Sequence, residues 1–215
     1  MSKRFLVVLL VCVLGLFGVY VATSKQDSKD NGGKTTGDTS KVSNHVIGEN
    51  SKKVTLVEYG DFQCPACGQY YPIVKQVKEK YAKEIQFQFR NFPLSQIHQN
   101  ARASSRAAEA AAKQNKFWEM HDLLYDNQSS WQSSSNTAPI FESYASQLGL
   151  DLAKYKTDYA STEVNDIINA DYAEGAKLGV NSTPTFFLQG KKLEKNPQNL
   201  DEFNKLIEDA IKNAK

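Results

Sequence analysis

Apolar and polar positions along the chain change period several times, and each change marks an element. Val54-Thr55-Leu56-Val57-Glu58-Tyr59 is β-branched and apolar, then Gly60-Asp61 stops the run, which predicts a short buried strand. Pro65 to Ala82 carries a helical pattern with proline in its first turn, and Pro72 removes one ladder bond and predicts a kink. Ile85-Gln86-Phe87-Gln88-Phe89-Arg90 alternates at period two, a second strand. From Ser95 to Lys177 the pattern is almost wholly helical. Its pieces are an alanine-rich run to Lys113, Phe117 to Asn127, Ile140 to Leu148, and Val164 to Leu178, with Ser/Asn breaks between them. Thr185-Phe186-Phe187-Leu188 predicts another strand, turned by Gln189-Gly190 toward Lys191-Lys192-Leu193. The last helix opens with Asn199 as cap and Glu202 three residues on. Leu200, Phe203, Leu206, Ile207, Ala210 and Ile211 form its apolar face.

The order is β-α-β, a long helical block, then β-β-α. Strand–helix–strand needs a crossover and so a parallel pair, while the short gap at Gly190 allows a hairpin. The pattern therefore predicts an α/β fold, a small mixed sheet with an all-helical insertion at about 95–178. No internal repeat is visible.

The N-terminus reads differently. Lys3 and Arg4 precede Phe5 to Ala22, which holds no charge and no proline. As a helix this run covers about 27 Å, close to the ~30 Å bilayer core. Residues 1–24 therefore read as a membrane anchor. A cleaved signal ending near Ala22-Thr23-Ser24 is the second reading, and lipidation at Cys12 the third. In each case the positive flank stays cytoplasmic and the rest is exported. Lys25 to Lys41 has no large apolar residue and predicts a flexible linker with an r.m.s. span of about 23 Å. The folded domain is expected over 42–215.

At 215 residues and 40% hydrophobic, the chain can bury one domain's core. Its formal net charge is +2, and no Lys/Arg cluster appears, so nucleic acid is not an expected partner. Three cysteines are too few for a disulfide-stapled scaffold or a four-cysteine zinc site. His45, His98 and His121 stand in no paired spacing and read as surface or capping residues, so no metal is expected. The aromatic run around Phe117 and Trp118 reads as core.

The chemistry lies in Cys64-Pro65-Ala66-Cys67, directly after the first strand. The thiolate is the nucleophile, and unpaired N–H groups at a helix N-terminus favour negative charge. Cys64 at the cap would attack or be attacked, and Cys67, one turn inside and more buried, would resolve. A structural disulfide and half of a metal site are the alternatives on spacing alone. Glu58 shares a strand face with Val54 and Leu56. Buried there, its carboxyl would have a raised pKa and could pass the proton that Cys67 loses and regains; a strand-end Glu reaching solvent is the other reading. Thr183-Pro184 precedes a strand, and its bond can be an ordinary trans turn or cis. Since Pro184 donates no ladder bond, an extended substrate could pair with the Thr183 backbone there.

Glu58-Tyr59-Gly60-Asp61-Phe62-Gln63-Cys64-Pro65-Ala66-Cys67, Phe117-Trp118-Glu119-Met120-His121 and Val180-Asn181-Ser182-Thr183-Pro184-Thr185 together resemble the DsbA-like thiol:disulfide oxidoreductases. The resemblance runs from about Val46 to the C-terminus. It implies a thioredoxin-like sheet with an inserted helical subdomain, Cys64 and Cys67 as the redox pair, a cis Thr183–Pro184 bond and a buried acid at Glu58. The chain departs from the enteric members at Ala66, where they carry histidine.

The expected activity is oxidation of cysteine pairs in exported proteins through a mixed disulfide at Cys64, in a bacterial cell envelope, with no cofactor. Its expected partners are those substrates, a redox partner or small-molecule oxidant that restores the disulfide, and the membrane through the N-terminal segment. A reductase or isomerase on the same scaffold, and a tethered binding module with a static disulfide, are the competing classes.

Overall fold

Residues 41–214 are described in a computed structural model of the chain. The expected anchor or signal at 1–24 and the linker at 25–41, Lys41 apart, lie outside the described residues. Five strands form one sheet in the order β1-β3-β2-β4-β5. β2 (Val54–Gly60) and β3 (Ile85–Asn91) run parallel, with Leu56 opposite Phe87 and Glu58 opposite Phe89. α1 (Pro65–Lys80) is the crossover between them and continues through the exposed Pro72. β4 (Thr185–Leu188) pairs antiparallel with the other edge of β2, setting Glu58 opposite Phe186. β5 (Lys191–Lys192) closes the hairpin. The three-residue β1 (His45–Ile47) pairs antiparallel with β3 and extends the sheet beyond the predicted strands.

Six helices fill the chain between β3 and β4: α2 (Ala101–Ala112), α3 (Phe117–Asp126), α4 (Gln128–Trp131), α5 (Ala138–Gln147), α6 (Leu152–Ala160) and α7 (Thr162–Lys177). α2 is their hub. Its Ala107, Ala108, Ala110 and Ala111 are fully buried, because methyl-sized side chains let α3, α5, α6 and α7 all approach its axis. α8 (Leu200–Asn213) packs on β2 and α1, burying Phe203 and Ile207 of the predicted stripe. Asn199 caps it as expected, accepting the Glu202 N–H at 2.9 Å. The observed architecture is thus the expected thioredoxin-like mixed sheet with a helical insertion. Among the described residues no helix is long and apolar enough to cross a membrane.

The histidine reading needs correction. His121 is buried, because it falls on the α3 stripe with Phe117, Met120, Leu124 and Tyr125. Its ring lies edge-on to Phe62, Phe89 and Tyr125 at 5.0–5.6 Å, and burial pushes its pKa down to about 4. His45 stacks on Phe117 with ring centroids 3.4 Å apart and bonds Glu109 at 2.8 Å. His98 bonds Asp61 at 2.7 Å.

Candidate active site: the Cys64–Cys67 turn

The loop from Gly60 to Gln63 carries the chain from β2 into α1, and Asp61 shapes it. Its carboxylate accepts the Gln63 N–H at 2.8 Å and the Leu94 N–H at 3.0 Å, and pairs with His98; its backbone carbonyl accepts the Cys64 N–H at 3.0 Å. Asp61 is fully buried, so each bond offsets a desolvation penalty. The loop is also tied to the insertion. Gln63 donates to the Gln132 carbonyl at 2.7 Å and accepts the Asn100 N–H at 2.5 Å.

Cys64 is the N-cap of α1 in extended conformation, with Pro65 exposed at the first helical position and Ala66 half-buried. Its Sγ lies 3.3 Å from the Thr183 carbonyl, which accepts the thiol proton. The Thr183–Pro184 bond is cis. Cys67 is fully buried, Cys64 is 7% exposed, and both are free thiols in this structure.

The two sulfurs are pushed in opposite directions. The Cys67 thiol donates to Cys64 and is the largest influence on it. With the Thr183 side chain and the backbone N–H groups of Cys67 and Ala66, it overcomes burial and holds Cys64 down to about 5. Burial pushes Cys67 well up, and the Cys64 hydrogen bond and the nearby Glu58 charge add to that. Glu58 is buried between Phe89 and Phe186 rather than reaching solvent. Burial raises its carboxyl to about 8, against the pull of Lys78.

The structure therefore brings Cys64, Cys67, Glu58, Thr183 and Pro184 to one end of the sheet. Sequence reasoning missed Asp61, Gln63, Gln128 and Lys78. Gln128, in α4, donates to the Phe62 and Cys64 carbonyls at 2.7 and 2.9 Å. Lys78 had a legible signal: it lies on the apolar stripe Tyr71-Val74-Lys78-Tyr81 at helical spacing. Its ammonium sits 4.7 Å from the Trp118 ring centroid and 3.6 Å from the Asp122 carboxylate. Among the described residues no three His, Cys, Asp or Glu side chains gather as a metal site would need.

A paired-cysteine turn at a helix N-terminus, faced by a cis-proline loop on a mixed sheet, defines a thioredoxin-fold dithiol protein. The thioredoxin family model matches residues 40–209, and the chain belongs to that family. The structure is similar to BdbD from Bacillus subtilis (oxidised), with TM-score 0.68 and 23% identity over 78% of this chain and 92% of that one. It is similar to alpha-DsbA1 of Wolbachia pipientis, with TM-score 0.68 and 19% identity over 79% and 91%. The fold is DsbA-like, as the sequence resemblance implied. Among curated proteins, a Na(+)/H(+) antiporter NhaA 3 of Salinispora tropica is 35% identical over 171 residues, 80% of this chain but 25% of the antiporter. A Na(+)/H(+) antiporter NhaA 1 of Salinispora arenicola is 38% identical over 69% of this chain and 22% of its own length. The chain thus spans about a quarter of the length of these curated relatives.

Proposed function

We propose that this chain is an extracytoplasmic thiol:disulfide oxidoreductase that oxidises cysteine pairs of exported proteins. The observation that carries the reading is the split between Cys64, held down to about 5, and Cys67, pushed up by burial. A disulfide whose accessible sulfur leaves as a stabilised thiolate accepts electrons readily.

In the oxidised state a substrate thiolate attacks Cys64 Sγ. The Cys64–Cys67 bond breaks, its electron pair goes to Cys67, and Cys67 takes up a proton. Glu58 is the source of that proton, since a carboxyl raised to about 8 is protonated at neutral pH. The substrate's second thiolate then attacks the substrate sulfur of the mixed disulfide. The substrate disulfide forms, and Cys64 leaves as a thiolate. The substrate dithiol has lost two electrons and the Cys64–Cys67 disulfide has gained them. A partner protein or a small-molecule oxidant takes them away, and the cycle uses no cofactor or metal. Thr183 and Pro184 face the reacting sulfur, where an extended substrate segment lies. The apolar run behind Lys3 and Arg4 supports export, with residues 1–24 anchoring or addressing a domain tethered by 25–41 at the surface of a bacterial cell envelope.

Oxidative refolding of reduced ribonuclease A by the disulfide form of the full chain tests this. One enzyme dithiol should appear for each ribonuclease disulfide formed. Efficient insulin reduction without ribonuclease oxidation would assign a reductase instead. No exchange in either assay would leave a binding module with a static disulfide.

A further inference from the structure

Beside the active-site turn lies a groove of about 430 Å³ that the chemistry above does not use. Leu94, Ile97, Arg102, Asn169, Tyr172 and Asn181 line it. Two of its walls are joined to the residues that hold Cys64. The Leu94 N–H donates to the Asp61 carboxylate at 3.0 Å, and the Asp61 carbonyl accepts the Cys64 N–H. Asn181 lies two residues before Thr183, whose carbonyl faces Cys64 Sγ. Through Leu94 and Asn181 the groove thus adjoins the two loops that flank Cys64.

Its rim is apolar. Ile97 is 74% exposed, and Tyr172 is 42% exposed and stacked on Phe92 at 4.5 Å. Side chains so placed gain by leaving water. Its wall is cationic and uncompensated. Arg102 Nε and Nη2 donate to Asn165 Oδ1 at 3.2 and 2.8 Å, and Nη2 also donates to Asn169 Oδ1. Arg106, one turn on, donates to the same Asn165 Oδ1 at 3.1 Å and to the Tyr159 carbonyl at 2.8 Å.

Two guanidiniums thus converge on neutral oxygens, and among the described residues neither forms an ion pair with a carboxylate. Arg90, by contrast, pairs with Glu174 at 3.1 Å. Burial, and then the like charge of Arg106, work against the charged Arg102 guanidinium. A carboxylate supplied from outside would complete this arrangement, because charge-assisted guanidinium–carboxylate bonds are the strong ones.

Resting on the reading that Cys64 exchanges with polypeptide thiols, we propose that this groove holds the segment flanking the substrate cysteine. Arg102 receives an acidic side chain there, and Ile97 and Tyr172 receive an apolar neighbour.

The test uses the full chain and fluorescein-labelled nonapeptides with Ser at the central, cysteine position, so that no thiol exchange occurs. Glu is moved through the three positions on either side, and each peptide is compared with its Gln counterpart by anisotropy. At one or two positions on one side, the Glu peptide should bind about five- to tenfold more tightly, with an advantage that shrinks as salt is raised. Arg102→Gln should abolish that advantage, Arg102→Lys should keep part of it, and Ile97→Ala should weaken Glu and Gln peptides alike. Equal binding of Glu and Gln peptides at all six positions would overturn the proposal. So would an Arg102→Gln protein of unchanged melting temperature that keeps the preference. Because the peptides carry no thiol, this result stands or falls separately from the ribonuclease assay.

Discussion

Gln128 donates its side-chain amide to the carbonyl of Cys64 at 2.9 Å, from a helix that belongs to the insertion. The same amide holds the Phe62 carbonyl at 2.7 Å, so one side chain clasps both sides of the active-site turn. Gln128→Ala should destabilise the domain by about 1–2 kcal/mol, measured by urea denaturation, as two hydrogen bonds to half-buried carbonyls are lost. Gln128→Glu should go further and raise the Cys64 pKa above 5, because it sets a carboxylate beside a thiolate. An unchanged alkylation profile in Gln128→Glu would show that the clasp has no electrostatic reach to the sulfur.

Iodoacetamide should distinguish the two thiols of the reduced protein. Cys64 should be alkylated with a midpoint near pH 5, while Cys67 stays unreactive until the protein is denatured. Mass spectrometry of the modified peptide checks the assignment. Labelling of Cys67 at a rate like that of Cys64 would refute the split.

The same shift sets how stability depends on redox state. An unfolded Cys64 titrates near its ordinary value of 9.0 and the folded one near 5, so its contribution is full above pH 9 and fades as pH falls toward 5. The reduced protein should therefore melt higher than the oxidised protein at pH 7–8. The gap should narrow steadily down to pH 5. An oxidised form that melts higher across that whole range would identify the disulfide as a structural staple.

Glu58 acts with the opposite sign. Folded, it keeps its proton to about pH 8; unfolded, it loses it near 4.5, so it lowers stability as pH rises between those values. Glu58→Gln should flatten that part of the profile, so that its stability relative to the wild type improves as pH rises from about 4.5 to 8. Asp171, raised to about 6 by burial, should keep its own downward slope from about pH 4 to 6 in both proteins. Glu58→Gln should also slow thiol exchange through Cys67 by on the order of 10²-fold, the low end for general acid–base catalysis. Stopped-flow traces with unchanged rates would leave Glu58 a purely structural acid.

Cys67→Ser, expressed in a bacterial host with residues 1–41 retained, should accumulate mixed disulfides through Cys64. The variant lacks the intramolecular thiol that releases them. Cys64→Ser should accumulate few. Gels run with and without reductant read the difference, and equal trapping would erase the division of labour between the two cysteines.

Much of this site is legible because its logic is local. A period-two run, a stop at Gly60-Asp61 and a cysteine one residue before Pro65 already place Cys64 at a helix cap, and the Val54-Leu56-Glu58 face makes a buried acid one of two readings, which the structure decides. What escapes is set by distant chain. β1 is three residues long and exists because β3 offers it an edge. α6 buries only Tyr155 and owes its start to Asp151, which accepts the Lys154 N–H at 2.9 Å, so its apolar period is nearly silent. His121 falls on the Phe117-Met120-Leu124 stripe, yet its polar ring hides it from a count of apolar positions until α3 packs it against Phe62 and Phe89. Gln128 carries no motif, and Gln63 is legible only as a member of the stretch before Cys64; their hydrogen bonds appear only once the insertion folds back onto the turn.

Phe92 and Val180, where the chain leaves the sheet for the helical block and where it returns, belong to one small apolar cluster with Tyr59 and Phe187. The block is therefore a closed excursion whose two ends join one apolar cluster. Closing such a loop becomes more expensive only logarithmically, by about 0.6 kcal/mol for each doubling of its length. Residues far out on the excursion can thus be added, removed or exchanged with little penalty to the sheet, so long as the closure at Phe92 and Val180 and the clasp from Gln128 survive. The part of the molecule freest to diverge in size is the far end of the block, α5 and α6, whereas Arg102 in the hub helix and Tyr172 stacked on Phe92 stand near the closure and are held in step with the dithiol turn.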